Sequence, residues 1–361
     1  RINPQHYQSL SNLGVIAKNT NHIDIAEKFF LKAIKVKPDY VDGIYNLAVI
    51  KQEKQNLTEA RFFYQMLISI KPDSYVAHYN LGNMLKDWRH YDEAREHYKK
   101  AIEINPEYID ANFNLGMLLL LMFDLKAGFD YYEWRKKLPT FKKINHKNQS
   151  DSKEWNNQNL NGKTILIVSE QGYGDTVQFA RYVYLLQQKF SVKIIFQTHQ
   201  KLIHFFSKSS FEVISMDCPL PIYDYYVYLM SLPRLFLKCG SAIERQINFI
   251  SVNHGVLKKW ERKLSNLSGL KVGINWKGNS EKSAVPLNAF NSLFDLRKVD
   301  FISLQRGLGT EQINHFYNKK RLFTDLSKID MDKEENAFEE SIGIISNLDL
   351  LITIDTALAH V

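Results

Sequence analysis

Asn80-Leu-Gly-Asn-Met-Leu-Lys-Asp-Trp-Arg-His-Tyr-Asp-Glu-Ala94, closed by Pro106, decides how the first part of the chain is read, because its key positions recur. Asn12, Asn46, Asn80 and Asn114 lie 34 residues apart, and each stands directly before a leucine, at Leu13, Leu47, Leu81 and Leu115. Ala26, Ala60 and Ala94 keep the same interval, with Gly128 next in register, and so do Pro38, Pro72 and Pro106. A fixed period of this length marks a stacked supersecondary unit. Small residues at one register let two helices cross closely. Proline closes each unit because it cannot continue a helix. The period predicts paired helices over 1–138, stacked as an α-solenoid.

The period and residue types resemble the tetratricopeptide repeat. The asparagine column adds a functional expectation. An amide offers a donor and an acceptor side by side. A line of Asn12, Asn46, Asn80 and Asn114 can pair with the backbone of an extended peptide without reading its sequence; the alternative is a solvated groove wall.

The chain has 361 residues, a net charge of +8 and two cysteines, Cys218 and Cys239. This length suggests two or three domains. The charge does not point to nucleic acid. Arg135, Lys136, Lys137, Lys142, Lys143 and Lys147 crowd one stretch, and the rest is mixed in sign, which reads as a solvated basic connector. Without a CxxC pair, a disulfide framework or cysteine zinc site is not expected. The apolar run Phe113 to Phe123 is about half the length of a membrane span. With no signal peptide visible, a cytoplasmic place is expected.

Beyond a polar linker at 139–160 the pattern changes. Thr164-Ile-Leu-Ile-Val168 is a short, β-branched apolar run suited to a buried parallel strand. Further strands are expected at 192–196, 211–214 and 225–228, with a helix over 176–188. After a helix near 256–264 the pattern restarts, with strands at 271–276, 301–304 and 350–354. Strands alternating with helices argue for doubly wound α/β units, one over 161–262 and one over 263–361.

The chemistry is expected where loops leave strands, since ligands of open parallel sheets bind at the strands' carboxyl ends. Glu170-Gln-Gly-Tyr-Gly-Asp-Thr176 leaves the first strand. Gly172 and Gly174 allow the backbone to turn and approach a ligand, and Asp175 falls at or near a helix N-terminus, where it reads as an N-cap favoured by the helix dipole. Val177 stands where a dinucleotide fingerprint wants its third glycine. A P-loop is excluded because Gly162-Lys163-Thr164 precedes a strand. Gly273-Ile-Asn-Trp-Lys-Gly-Asn279 leaves another strand, with Lys277 and Lys282 able to meet phosphate. Near the end, Asp355 and Thr356 flank a turn whose following amides would face an anion.

Glu170 to Arg181, Trp276 to Asn279, Ser303-Leu-Gln305 and Leu348 to His360 together resemble bacterial glycosyltransferases related to the lipopolysaccharide heptosyltransferases. Repeats fused to such a region are similar to bacterial tetratricopeptide glycosyltransferases and, in architecture, to protein O-GlcNAc transferases. The resemblance implies a B-type glycosyltransferase fold of two Rossmann-like lobes, the second incomplete at Val361, and a nucleotide-sugar substrate with no cofactor and no metal. It implies inverting transfer with Asp175 as general base, and a donor site built from Gly172, Gly174, Trp276, Lys277, Gly278, Asn279, Lys282, Gln305, Asp355, Thr356, Ala357 and His360. The acceptor would be a hydroxyl on a protein Ser or Thr held by the repeats. Two alternatives stay open: a protein-binding scaffold with an inactive transferase-like region, or a transferase acting on a lipopolysaccharide or other glycan.

Overall fold

The computed structural model describes residues 6–141, 153–238, 250, 253–278, 284–313, 323–326, 337–354 and 356–360. The chain divides into two compact units, 1–143 and 144–361.

The first unit is four helical hairpins: α1 (Tyr7–Asn19) with α2 (Ile23–Val36), α3 (Val41–Glu53) with α4 (Leu57–Ile70), α5 (Tyr75–Asp87) with α6 (Tyr91–Ile104), and α7 (Ile109–Leu121) with α8 (Leu125–Tyr132). Pro38, Pro72 and Pro106 each stand two residues past a helix end, as the sequence demands. Asn56, Ser74 and Asp124 cap α4, α5 and α8 by accepting a backbone N–H with their side chains. The alanine column is fully buried, and one turn on from it Phe30, Tyr64 and Tyr98 are buried as completely. Burying each such ring is worth about 1.5–3 kcal/mol, so these three rings bind the stack together.

Two features of this unit were not legible beforehand. The residue two places past the first helix of every hairpin is left-handed without being glycine: Asn21, Gln55, Arg89 and Phe123 have φ of 61°, 61°, 63° and 63°. The basic connector is also partly neutralised. Arg135 is buried, pairs with Glu133 at 2.8 Å and stacks on Tyr132. Lys136 reaches Glu133, and Lys137 reaches Glu107 while lying over the Trp134 ring. Arg135 is therefore structural, Lys136 is half-buried against Glu133, and Lys137 stays exposed as a solvated connector residue would. Lys142, Lys143 and Lys147 lie outside the described residues.

Among its described residues the second unit holds two parallel sheets. The first contains β1 (Lys153–Glu154), β2 (Thr164–Val168), β3 (Lys193–Thr198), β4 (Glu212–Ser215) and β5 (Tyr225–Tyr228), in spatial order β1-β5-β2-β3-β4. The second contains β6 (Leu270–Asn275), β7 (Val299–Ser303), β8 (Phe323–Asp325) and β9 (Leu350–Thr353), in order β8-β7-β6-β9. Each sheet reverses its winding at its earliest long strand. β2 lies between β3 and β5, and β6 between β7 and β9. Those reversals are where open parallel sheets leave a crevice at the strand ends.

Among the described residues, the first half of this unit carries four helices: α9 (Tyr173–Phe179), α10 (Arg181–Lys189), α11 (Gln200–Ile203) and α12 (Leu232–Lys238). The single helix expected over 176–188 is thus two. Among the described residues two more follow, α13 (His254–Lys263) and α14 (Ala337–Ile345). Two boundaries shift. The linker read over 139–160 ends sooner, because β1 pairs with β5 and Trp155 and Leu160 are core residues. The split at 262/263 falls inside α13, whose Trp260 packs with Leu264, Ile302 and Ile344 of the second sheet's core.

Candidate functional site

A cavity of about 380 Å³ lies within the second unit. Its wall comes from the ends of β6, β7 and β9, from the start of α9 and from along α14: Asn275, Lys277, Gln305, Arg306, Thr356 and Ala357, with Tyr173, Phe338, Ser341 and apolar Leu304, Ile344 and Leu358. Lys277 and Arg306 supply positive charge, and among the described residues no carboxylate lines the cavity. Such a wall favours an anion with an apolar or ring-shaped neighbour part.

The loop after β6 is held from inside. Asn275, buried at the strand end, donates to Gln305 Oε1 at 3.2 Å and accepts from the Thr353 and Thr356 hydroxyls at 3.4 and 3.5 Å. Thr356 thereby faces the cavity from an extended residue that begins the short turn Ala357–Ala359. Gly278 lies against Thr356, where an added Cβ would come within 3.3 Å of the threonine methyl. On the cavity rim, Arg306 Nη2 donates to Ser341 Oγ at 3.4 Å.

The loop after β2 is equally built. Ser169 and Thr176 share a buried hydroxyl pair, Thr176 Oγ1 donates to Gly172 O at 2.9 Å, and the His199 ring bonds Gln171 O at 2.7 Å. These bonds fix the entry into α9, where Gly172 is the cap residue without a side-chain bond and Asp175 is the third helical residue. Asp175 is thus not the cap itself; it sits in the first turn, half-buried, where a carboxylate is favoured by the helix dipole. Tyr173 carries α9 into the cavity wall, its ring 4.8 Å from His199 and 5.8 Å from Phe338.

The sequence-based donor set is partly brought together. Lys277, Gln305, Thr356 and Ala357 line the cavity, with Gly278 beside Thr356. Trp276 does not. It is fully buried in a core with Val272, Ile274, Leu287, Phe294 and Phe301, because the strand's inward alternation carries one residue past β6. Gly174 packs against protein rather than opening to ligand: an added Cβ would meet His360 Cδ2 at 3.2 Å and Ala357 backbone at 3.4 Å. His360 is accordingly a packing partner of α9 and, like Asp175 and Gly172, does not line the cavity. Asn279, Lys282 and Asp355 lie outside the described residues. Arg306, Tyr173, Phe338 and Ser341 were missed. Arg306 could have been found, since it follows Gln305 at a strand end. Phe338 and Ser341 give no local signal.

In the repeats, the asparagine column is already engaged. Asn46 donates to Asp42 O in its own helix at 2.8 Å. Asn80 donates to Tyr45 of the preceding repeat at 3.2 Å, and Asn114 to Tyr79 at 3.1 Å and to Asn83 at 2.9 Å. Asn12 is exposed. The amide N–H groups of Asn80 and Asn114 therefore stitch repeats together, and among the described residues no donor reaches the Oδ1 of either.

Residues 7–40, 75–108 and 97–136 each match the tetratricopeptide repeat family, so the first unit is an array of these repeats. Among solved structures, the chain is similar to the MamA protein, 20% identical over 37% of this chain and 73% of that one, with a TM-score of 0.35. It is similar to PilF of Pseudomonas aeruginosa, 22% identical over 38% and 63%, TM-score 0.35. It is also similar to the first repeat domain of Spaghetti (RPAP3), solved with the HSP90 peptide SRMEEVD, 16% identical over 34% and 97%, TM-score 0.32. No curated protein matches the chain. No helix among the described residues is long and apolar enough to cross a membrane.

Proposed function

We propose that the repeats are a protein-binding scaffold that holds an extended segment of a partner along the helices bearing Asn80 and Asn114. The observation that carries this reading is the repeated tyrosine–asparagine rung. In each rung the amide N–H is spent on the preceding repeat and the carbonyl oxygen stays available to a peptide N–H. Each such bond is worth on the order of 1 kcal/mol net. Peptides selected from a displayed library by the full chain should lose roughly tenfold or more in affinity when Asn80 and Asn114 both become Ala, since two such bonds amount to about 2 kcal/mol. The comparison is made well below the unfolding temperature of both forms. No enriched peptide, or equal affinity, would sink the scaffold reading.

A second reading is favoured by the cavity with Lys277 and Arg306 at the sheet reversal. Here the α/β region takes a nucleotide sugar and transfers the sugar, with inversion, to an acceptor hydroxyl, a protein Ser or Thr being the acceptor class proposed. Lys277, Arg306 and Thr356 would hold the diphosphate and stabilise the charge that grows on it as the sugar bond breaks. Asp175 would take the proton of the attacking hydroxyl. A cytoplasmic place belongs to the same proposal. Asp175→Asn should lower transfer at least about a hundredfold while leaving donor affinity unchanged. A variant that transfers at the wild-type rate would leave Asp175 a helix-terminal charge and nothing more.

A further inference from the structure

Gln305 is offered by the sequence as a ligand contact, but its amide has nothing left to offer. The residue is only 2% exposed. Its Oε1 accepts from Trp276 N at 3.1 Å, Lys277 N at 2.9 Å and Asn275 Nδ2 at 3.2 Å. Its Nε2 donates to Lys277 O at 2.8 Å, Leu308 O at 2.7 Å and, more weakly, Arg306 O at 3.3 Å. A primary amide has two N–H groups and two lone pairs, so six partners exhaust it.

Those six partners join two segments that are far apart in sequence and carry the two cations of the cavity. Lys277 is tied through both its N–H and its carbonyl, and Arg306 through its carbonyl. The second segment also turns on left-handed glycines, Gly307 at φ 61° and Gly309 at φ 98°, and Gly309 lies so near Lys277 that an added Cβ would be 3.1 Å from the lysine's own. A turn of that kind has many alternatives when untied, and the Gln305 amide selects one of them.

We infer that Gln305 is a positioning residue, which sets Lys277 and Arg306 at a common spacing for one anionic group and does not itself touch the ligand. The inference rests on reading the cavity as an anion site. Its test uses the full chain and inorganic pyrophosphate, titrated calorimetrically at several salt concentrations. Wild type should bind with a salt-dependent affinity, and Lys277→Met and Arg306→Met should each weaken binding about tenfold and flatten the salt dependence. Gln305→Met should weaken binding by a similar factor in the wild-type background. In the Lys277→Met/Arg306→Met background it should cost less than about twofold, because the groups it positions are gone. Gln305→Leu, which removes the same bonds without adding a charge, should behave as Gln305→Met and reads the same cycle if the methionine variant does not fold.

Equal losses in both backgrounds would make Gln305 an independent contact and overturn the inference. So would a lowered unfolding temperature with affinity and salt dependence unchanged, which would leave Gln305 a purely structural tie. In both cases the anion site itself would stand. Absence of pyrophosphate binding by wild type would overturn the anion site, and the inference with it.

Discussion

Alanine placed at Gly82 and at Gly116 tests the packing of the hairpins with one substitution made twice in one register. The column reads Gly14, Ala48, Gly82, Gly116. In a helix interior, alanine is favoured over glycine by about 1 kcal/mol, so the sign depends on what the new methyl meets. At Gly82 it meets a ring, with Tyr98 Cδ1 and Cε1 both 2.9 Å away. At Gly116 it meets main chain, with Tyr132 N at 2.7 Å and Tyr131 C at 2.9 Å. A ring can tilt. The second repeat already accommodates Ala48 beside a fully buried Tyr64, whose hydroxyl is tethered to Gln52 much as that of Tyr98 is tethered to Asn83. Main chain can yield only if α8 moves as a body. Overpacking costs about 1–3 kcal/mol. At Gly82 the low end of that range is cancelled by the gain in propensity, leaving a change within about 1 kcal/mol of zero. At Gly116 the high end applies, leaving a net loss of about 2 kcal/mol. Urea unfolding of the full chain, followed by helical circular dichroism, measures both. A Gly116→Ala variant as stable as Gly82→Ala, or a Gly82→Ala variant that is the worse of the two, would refute the argument.

Three further outcomes follow from the repeats. His78 and His97 face each other with their Nδ1 atoms 3.0 Å apart. Burial pushes both down, His97 to about 4 with help from the neighbouring imidazole; Arg61 and Lys100 push the same way, and Glu93, Glu96 and Glu103 oppose. At His97 the unfolded chain therefore binds a proton below about pH 6.5 that the folded repeats refuse until about pH 4, and His78 shifts in the same direction. The thermal midpoint should fall between pH 7 and pH 5, and His97→Gln should shrink that fall; an unchanged pH dependence would remove the pair as its cause. Ile50→Ala should cost about 2–4 kcal/mol, whereas Ile16→Ala, in the same register, should cost under about 0.5 kcal/mol. Ile50 is fully buried and Ile16 is 59% exposed, and equal losses in urea unfolding would show Ile16 to be covered in solution. Arg89→Gly should stabilise the chain by up to about 1 kcal/mol by removing a Cβ from a left-handed residue, while Asn21→Gly should gain least because asparagine tolerates that region; a loss at Arg89 would mean that its side chain matters more than its backbone.

The repeats were legible because every hairpin repeats the same local rules. Period, helix crossing and closing proline are properties of neighbours in sequence, and four copies make them unambiguous. The strands at 164–168 and 225–228 were legible for a similar reason, being short β-branched or aromatic runs between turn residues. β1, only two residues long, was not, since a strand of that length exists through its partner β5. The left-handed column at Asn21, Gln55, Arg89 and Phe123 was invisible because its residue types share nothing; only the return of the chain into the next helix imposes that backbone.

At the candidate site the division is sharper. The sequence determined which residues leave the strands of the two sheets, and so it named Lys277 and Thr356, while Gln305 came only from the family resemblance. Tertiary structure decided what each of them faces. Trp276 and Lys277 are adjacent, yet one is buried in a core and the other lines the cavity. Gln305 turns from a contact into a tie only because Lys277 and Leu308 arrive on either side of it. Phe338 and Ser341 join Tyr173 and Arg306 around one cavity although more than 160 residues separate Tyr173 from Phe338. Composition and period constrain a residue through its neighbours along the chain. Convergence across such distances depends on how two sheets and a helix pack, and packing depends on the summed fit of many side chains rather than on any one of them.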